Sequence, residues 1–339
     1  MMSDDNLFDN IEVYLEQEQF RKNVTLLQFV ATRDREALAE LLTAVAGNPV
    51  PLVRIKMLLN TPFELRRIWL AAAPNGRIIG YNMLLRQVTY PSGEVQLMLG
   101  VHPAWRRQGI GQQLYNDAEG FARAAGYRRI SVTVDDDLAD SLTFAQRQGF
   151  EIVSHQYPSV LDLAAFVDGP FVKYLTAAKL KGIRFFSLAQ LGDTAANRRK
   201  FYELHRHCAA DIPHKTEFPN YEAYHHGRFT VADYQPEGYL VALAGEQWVG
   251  MTIVEFRGEE PRAYNAMTGV MRPFRGRGLA QALKLVAVRC ARHFEMDELV
   301  TINDADNKPM LAINRKMGYR PQTGFYAFLK KLDHSGEDL

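Results

Sequence analysis

The chain has 339 residues, enough for two or three domains. It is 47% apolar and 23% charged with a net charge of +1, the composition of a soluble globular protein with no bulk attraction to nucleic acid or an anionic membrane. No apolar run is long enough to span a bilayer, residues 1–10 are polar and acidic, and the two cysteines, Cys208 and Cys290, have neither disulfide-framework nor metal-site spacing, so the expected compartment is the cytoplasm.

Periodicity sets the expected elements. A strand at 24–30 leads to a helix at 33–46 capped by Thr32, and Pro49 and Pro51 break the chain before a helical stretch at 53–60. Segments 67–73 and 77–88 form a hairpin across Pro74-Asn75-Gly76, followed by a turn at 90–93 and a mostly apolar strand at 95–101. A helix opens after Gly109 and stops at Gly126; a strand at 129–134, a helix at 138–148 and a strand at 150–163 follow. Residues 167–181 read as a connector. The order then recurs: a strand at 183–187, helices at 195–209 and 220–228, a hairpin of 238–243 with 247–256, a strand at 263–270, a helix at 279–294, a strand at 298–302, a helix at 308–317 and a strand at 324–331. The tail at 333–339 frays.

The recurrence has one offset. Val101, Arg106, Gly109 and Leu114 match Val270, Arg275, Gly278 and Leu283, and 278 − 109 = 169. Gly149-Phe150 matches Gly318-Tyr319 at the same distance, 318 − 149 = 169. An offset of half the chain implies two copies of one domain, at 1–166 and 182–332. Each copy places a basic, glycine-containing loop between a strand and a helix. The first amides of a helix lack intrahelical partners and carry the positive end of its dipole, so such a loop suits a pyrophosphate. A dinucleotide fingerprint would need Gly at Gln281 or Leu114, and the Gly-Lys-Ser/Thr of a P-loop is absent.

The element order and the loop motif resemble the GNAT (Gcn5-related N-acetyltransferase) fold, a mixed α/β sheet. The motif is Arg or Gln, two residues, Gly, one residue, Gly or Ala. It stands as Arg106-Arg107-Gln108-Gly109-Ile110-Gly111 and as Arg275-Gly276-Arg277-Gly278-Leu279-Ala280. The resemblance covers nearly the whole chain and implies two tandem acyl-CoA N-acyltransferase domains. It implies that these loop residues hold the pyrophosphate of acetyl-CoA, and that the strands ending at Val101 and Val270, with Thr268, bind its pantetheine arm. No metal is implied.

The two copies differ downstream. The family often carries Asn after the fifth strand and, seven residues later, a Tyr that protonates the leaving thiolate. The second copy has Asn303 and Asn307, which the resemblance implies help bind the cofactor, and Asn314 at the tyrosine's place; the first has Leu138 and Ala145 (307 − 169 and 314 − 169) and an acidic run, Asp135-Asp136-Asp137. Like charges there oppose a phosphate. The second copy also has a polar, aromatic helical region absent from the first: His205, His207, Asp211, His214, Tyr221, Tyr224, His225 and His226. In this fold that region roofs the acceptor. The second copy is therefore expected to work and the first to be degenerate or structural.

Acetyl transfer needs a neutral amine, a stabilised oxyanion and a protonated leaving thiolate. The expected catalytic residues are Tyr264, as acid or relay, and Asn314, as a polarising or water-holding group; Glu255 is a further base candidate. The expected reaction is acetylation of a small-molecule amine without metal, nucleic acid or membrane partner. A non-catalytic acyl-CoA sensor or scaffold and a protein N-acetyltransferase are the rival readings.

Overall fold

The computed structural model describes residues 24–47, 49–61, 63–87, 90–212, 218–257 and 261–332. The expectations for 1–10, Val88, His214 and 333–339 lie outside these residues. The described residues form two compact units, 24–133 with 329–332, and 134–328. Among the described residues no helix is long and apolar enough to cross a membrane.

In the first unit, strands β1 (Thr25–Gln28), β2 (Leu65–Ala72), β3 (Ile78–Arg86) and β4 (Glu94–Val101) pair antiparallel in that order, and β5 (Arg129–Asp135) joins β4 in parallel. The β2–β3 turn closes as its sequence requires: Gly76 takes φ +85° and Asn75 Oδ1 accepts the Arg77 N–H at 3.0 Å. The first helix, Ala31–Ala46, begins one residue before Thr32. Val30 is its N-cap, and Asp34 reaches back to accept the Val30 N–H at 2.7 Å. The chain's last described residues complete this unit. Leu332 N–H donates to Arg128 O at 2.8 Å, and Lys330 Nζ donates to Tyr115 Oη at 2.7 Å and Glu119 at 3.0 Å.

One buried polar cluster fastens the helix Ile110–Ala124 to this sheet. Arg67 grips Asp117 with two hydrogen bonds of 2.8 and 3.0 Å, and Asn82, fully buried, donates to Asp117 at 2.9 Å and to Leu114 O at 2.8 Å. Burial pushes the Asp117 carboxyl up, but the bonds from Arg67 and Asn82 outweigh it and hold the group below its ordinary value. Asp117→Ala is expected to cost the first unit about 3 kcal/mol, because it strands a half-buried guanidinium. A urea melt should show the loss. The lowered carboxyl also sets the sign with pH: the wild-type advantage is full above the ordinary carboxylate range and fades as pH falls through the lowered folded value.

The second unit contains strands β6 (Glu151–Asp162), β7 (Ile183–Ser187), β8 (Tyr239–Ala244), β9 (Gln247–Phe256), β10 (Arg262–Val270) and β11 (Glu298–Asp304). Their spatial order is β6-β11-β10-β9-β8-β7, with only β10 and β11 parallel and the short strand Arg320–Pro321 beside β6. The helix Leu279–His293 is buried on more than one narrow face: Leu279, Leu283, Ala287 and Ala291 are buried, and so are Lys284, Leu285 and Val288, while Val286 and Cys290 are half-buried. The helix Gly169–Leu180 is the reason, since Phe171, Leu175 and Ala178 share the core cluster of Leu285 and Val288. The helices Ala195–Ala209 and Tyr221–Phe229 carry a separate aromatic cluster against Tyr239, Val241, Met251 and Ile253.

Candidate active site

The feature that organises the second unit's site is a strand pair that opens. β10 and β11 are in register over Arg262–Tyr264 with Glu298–Val300 and part beyond. On its other edge β10 stays paired with β9, with a register shift between Asn265 and Met267 that leaves Ala266 as a bulge. A bulge takes its extra residue out of the ladder and re-aims the strand. Here it lies at the first residues past the closed end of the opening.

Side chains hold the bulge in place. Asn265, 2% exposed, donates its amide to Thr252 Oγ1 at 2.8 Å, Ile253 O at 2.9 Å and Met267 O at 3.1 Å. Thr268 Oγ1 donates to Asn265 Oδ1 at 3.2 Å and lies 2.9 Å from Thr252 Oγ1. Across the opening, Thr301 Oγ1 donates to Asn265 O at 3.1 Å, satisfying a carbonyl that has lost its strand partner. Of these residues the sequence pointed only to Thr268. The available signal was polar side chains at otherwise apolar strand positions.

At the far end of β10 the chain makes a short turn, Arg272–Phe274, and then the loop. Gly276 and Gly278 have φ of +73° and +78°, the left-handed region that favours glycine. Gly278 is the N-cap of the helix Leu279–His293 and supplies no side-chain cap, so the first helical amides face outward unpaired by the helix. Arg275 is not a free cation: its Nε donates to Val270 O at 2.8 Å and its guanidinium pairs with Asp211 at 2.7 Å. Arg272 pairs with the same carboxylate, and the two guanidiniums hold the Asp211 carboxyl well below the usual range. Arg275 thus braces the loop, leaving Arg277 exposed beside it.

The first unit repeats the loop but not the bulge. Arg106 Nε donates to Val101 O at 3.1 Å, and Gly109, φ +84°, caps the helix that starts at Ile110 and Gly111. Arg107 occupies the left-handed position, φ 63°, where the second copy has Gly276, a conformation that costs a non-glycine residue about 1 kcal/mol. Gln108 is half-buried. β4 and β5 also part after Glu94–Gln96 with Arg129–Ser131, yet β3 and β4 stay in unbroken register from Gly80–Val101 to Leu85–Gln96. Gln96 and Leu99 stand where the second copy has Asn265 and Thr268 (265 − 169 and 268 − 169).

Asn314 and Asn303 meet: Asn314 Nδ2 donates to Asn303 Oδ1 at 2.6 Å, at the end of β11 that has parted from β10 and stays paired with β6, and Asn314 Oδ1 is buried without a partner. Asn307 caps the helix Lys308–Lys316 through the Met310 N–H, at 3.4 Å. Tyr264 sits on the last closed rung, with Arg257 over its ring at 5.0 Å. Glu255 is ion-paired to both Arg228 and Arg257, which engages its lone pairs. The roof histidines do not converge. His205 is buried, with Nδ1 2.8 Å from the Tyr224 hydroxyl; His207 bonds to Glu203 O; His225 packs against Tyr221 and Phe229; His226 is exposed near Thr230. No group of metal-ligating side chains occurs among the described residues.

A sequence profile described as the acetyltransferase (GNAT) family matches residues 36–150 and 198–319. The chain is 26% identical over 87 residues to N-alpha-acetyltransferase 30 of Schizosaccharomyces pombe, a match covering 25% of this chain and 58% of that protein. Among solved structures, a GCN5-related N-acetyltransferase from Sphaerobacter thermophilus aligns with a TM-score of 0.71 at 17% identity, over 91% of this chain and 95% of its own. A tandem GNAT protein from the clavulanic acid biosynthesis pathway aligns with a TM-score of 0.67 at 20% identity, over 93% and 100%. These likenesses establish two tandem domains of one mixed α/β fold.

Proposed function

Because the chain belongs to the acetyltransferase (GNAT) family, we propose that it moves an acetyl group directly from acetyl-CoA to the amine of a small molecule, and that the second unit does so. The observation that carries this reading is the bulge at Ala266, clamped by Asn265 at a strand opening and followed by a glycine loop. Acetyl-CoA would bring the activated thioester. The amides around Gly276–Ala280 would take its pyrophosphate and the edge of β10 its pantetheine arm.

The neutral amine attacks the thioester carbonyl carbon; a C–N bond forms and the oxygen becomes an oxyanion. Backbone N–H groups of β10 past Tyr264, where β11 has parted from it, would stabilise that oxyanion. The C–S bond then breaks, the thiolate takes up a proton and the amine nitrogen gives one up. Asn314 cannot supply that proton; its amide, oriented by Asn303, would polarise the carbonyl or hold a water. Asp211 fastens the end of the helix Ala195–Ala209 to the loop through Arg272 and Arg275, which favours a roofed pocket and a small acceptor over a long peptide groove.

Gly276→Glu tests the donor site and the working half together. A side chain there meets nothing within 4 Å, and Arg107 already adopts the same conformation in the first copy, so the fold tolerates it. A carboxylate beside the pyrophosphate is expected to weaken acetyl-CoA at least tenfold, about 1.4 kcal/mol, while Gly276→Arg and Arg107→Glu change turnover less than threefold. Calorimetry and CoA release with an amine panel measure this. If Arg107→Glu abolishes turnover and Gly276→Glu does not, the first unit is the working one. Asn314 at the place of the family's acid favours one alternative, a non-catalytic acyl-CoA sensor. Tight binding with no CoA release for any amine or peptide would establish it.

A further inference from the structure

The helix Gly169–Leu180 sets an aromatic ring, Tyr174, at the edge of the second unit's loop, and two lysines, one from this helix and one from the helix Lys308–Lys316, gather around that ring. Asp168 anchors its start, pairing with Arg289 and with Arg292 at 2.8 Å each, while Phe171, Leu175 and Ala178 fill the core. This rigid seat presses Tyr174 onto the loop. A Cβ on Gly278 would come 2.6 Å from Tyr174 Cδ1, whereas its counterpart Gly109 has nothing within 4 Å. Lys316, at the end of the helix Lys308–Lys316, donates to Tyr174 Oη at 2.8 Å. The ammonium groups of Lys316 and Lys173 each lie 5.5 Å from the ring centroid. Neither lysine has a carboxylate partner among the described residues, and the guanidinium of the neighbouring Arg277 lies 5.7 Å from the Phe274 ring centroid.

We propose that Tyr174, Lys173 and Lys316 form a subsite for the adenosine 3′-phosphate end of the donor. The inference rests on the reading that the loop at 276–280 holds the pyrophosphate. In coenzyme A that pyrophosphate is bonded directly to a ribose carrying a 3′-phosphate and a purine. Those two groups must therefore lie within one sugar of the loop, and Tyr174 touches the loop. A tyrosine face accepts a purine by stacking, and ammonium groups without a carboxylate, both beside that ring, suit a phosphate. Lys316 alone has another explanation, since a cation at a helix C-terminus is favoured by the dipole; Lys173 sits in mid-helix and has none.

A coenzyme A ester and a plain nucleotide share this chemistry, and calorimetry on the full chain separates them. The probes are acetyl-CoA, 3′-dephospho-acetyl-CoA and ADP. The wild type is expected to bind acetyl-CoA about tenfold tighter than the dephospho compound, a ratio typical of one charge-assisted phosphate contact. The double variant Lys173→Met/Lys316→Met should bring the ratio below twofold with dephospho affinity unchanged, and Lys173→Arg/Lys316→Arg should restore it. Tyr174→Ala should weaken both donors about tenfold, the size of one lost stacking contact. Each variant's melting curve checks its fold. Equal binding of the two donors by the wild type overturns the subsite and leaves the donor loop intact. So does a ratio that survives the double methionine variant. ADP binding as tight as acetyl-CoA overturns it in favour of a nucleotide site. Failure of the wild type to bind either donor overturns both readings.

Discussion

Asn265→Ala is expected to lower kcat/KM for acetyl transfer by about a hundredfold, the range seen when an oxyanion donor is misplaced. Asn265 does not itself donate to the thioester. Its amide satisfies Ile253 O and Met267 O on the two sides of the bulge, and its carbonyl oxygen accepts from Thr268. Removing it takes a donor from Ile253 O and an acceptor from Thr268 Oγ1, leaves Met267 O held by Thr252 Oγ1 alone among these side chains, and frees the bulge to relax toward an unbroken ladder like that of β3 and β4. The expected stability loss is about 2 kcal/mol. Since the pyrophosphate loop lies beyond Val270, the acetyl-CoA dissociation constant should change much less than kcat. A variant with full turnover and a normal melting curve would show that the bulge is not the oxyanion site.

Lys284→Met is expected to stabilise the second unit at pH 7 by about 2 kcal/mol, as replacing a buried ion with an apolar side chain of similar size often does. Lys284 is 1% exposed, and its ammonium lies 4.8 Å from the centroid of the Tyr319 ring, with no carboxylate partner among the described residues. Burial pulls its pKa down to about 7. The unfolded chain, with the ordinary lysine value, therefore binds more protons between pH 7 and about 10. Wild-type stability should rise with pH across that window, by up to about 1.4 kcal/mol per unit, and level off above it. The methionine variant should lack this component, so the measured quantity is the gap between the two melting curves, closing as pH rises. The first copy has Tyr115 at this position (284 − 169), so the fold does not require a lysine there. A less stable variant at pH 7 would mean that the ammonium has a partner that offsets its burial.

Local features of the site could be read from the chain. The glycines at 276 and 278 suit their places because both positions have positive φ, and the N-cap at Gly278 follows from the helix that opens there. The offset of 169 exposed the repeat because both loops occupy the same place between strand and helix. The roles of particular side chains could not be read the same way. Arg275 looked like a phosphate ligand and is spent on Val270 O and Asp211, a residue far away in sequence. His205 looked available to an acceptor and is buried against Tyr224. Tyr174 fell in a connector with no motif, and only the docking of its helix brings it to Gly278.

By itself the sequence determined the element order, the two-fold repetition of one family's domain and the backbone form of both loops. These depend on hydrophobic period, turn residues and glycine sterics, which act over a few neighbouring positions. Tertiary structure alone decided where β10 carries its bulge, which carbonyls Asn265 and Thr301 satisfy, and which cations remain unpaired. A bulge exists only relative to the register of a partner strand, here β9. A charge is free or bound only relative to residues that folding brings beside it. The two loops share a conformation, but only the second unit sets its loop at the end of a bulged strand, and that difference arises from packing.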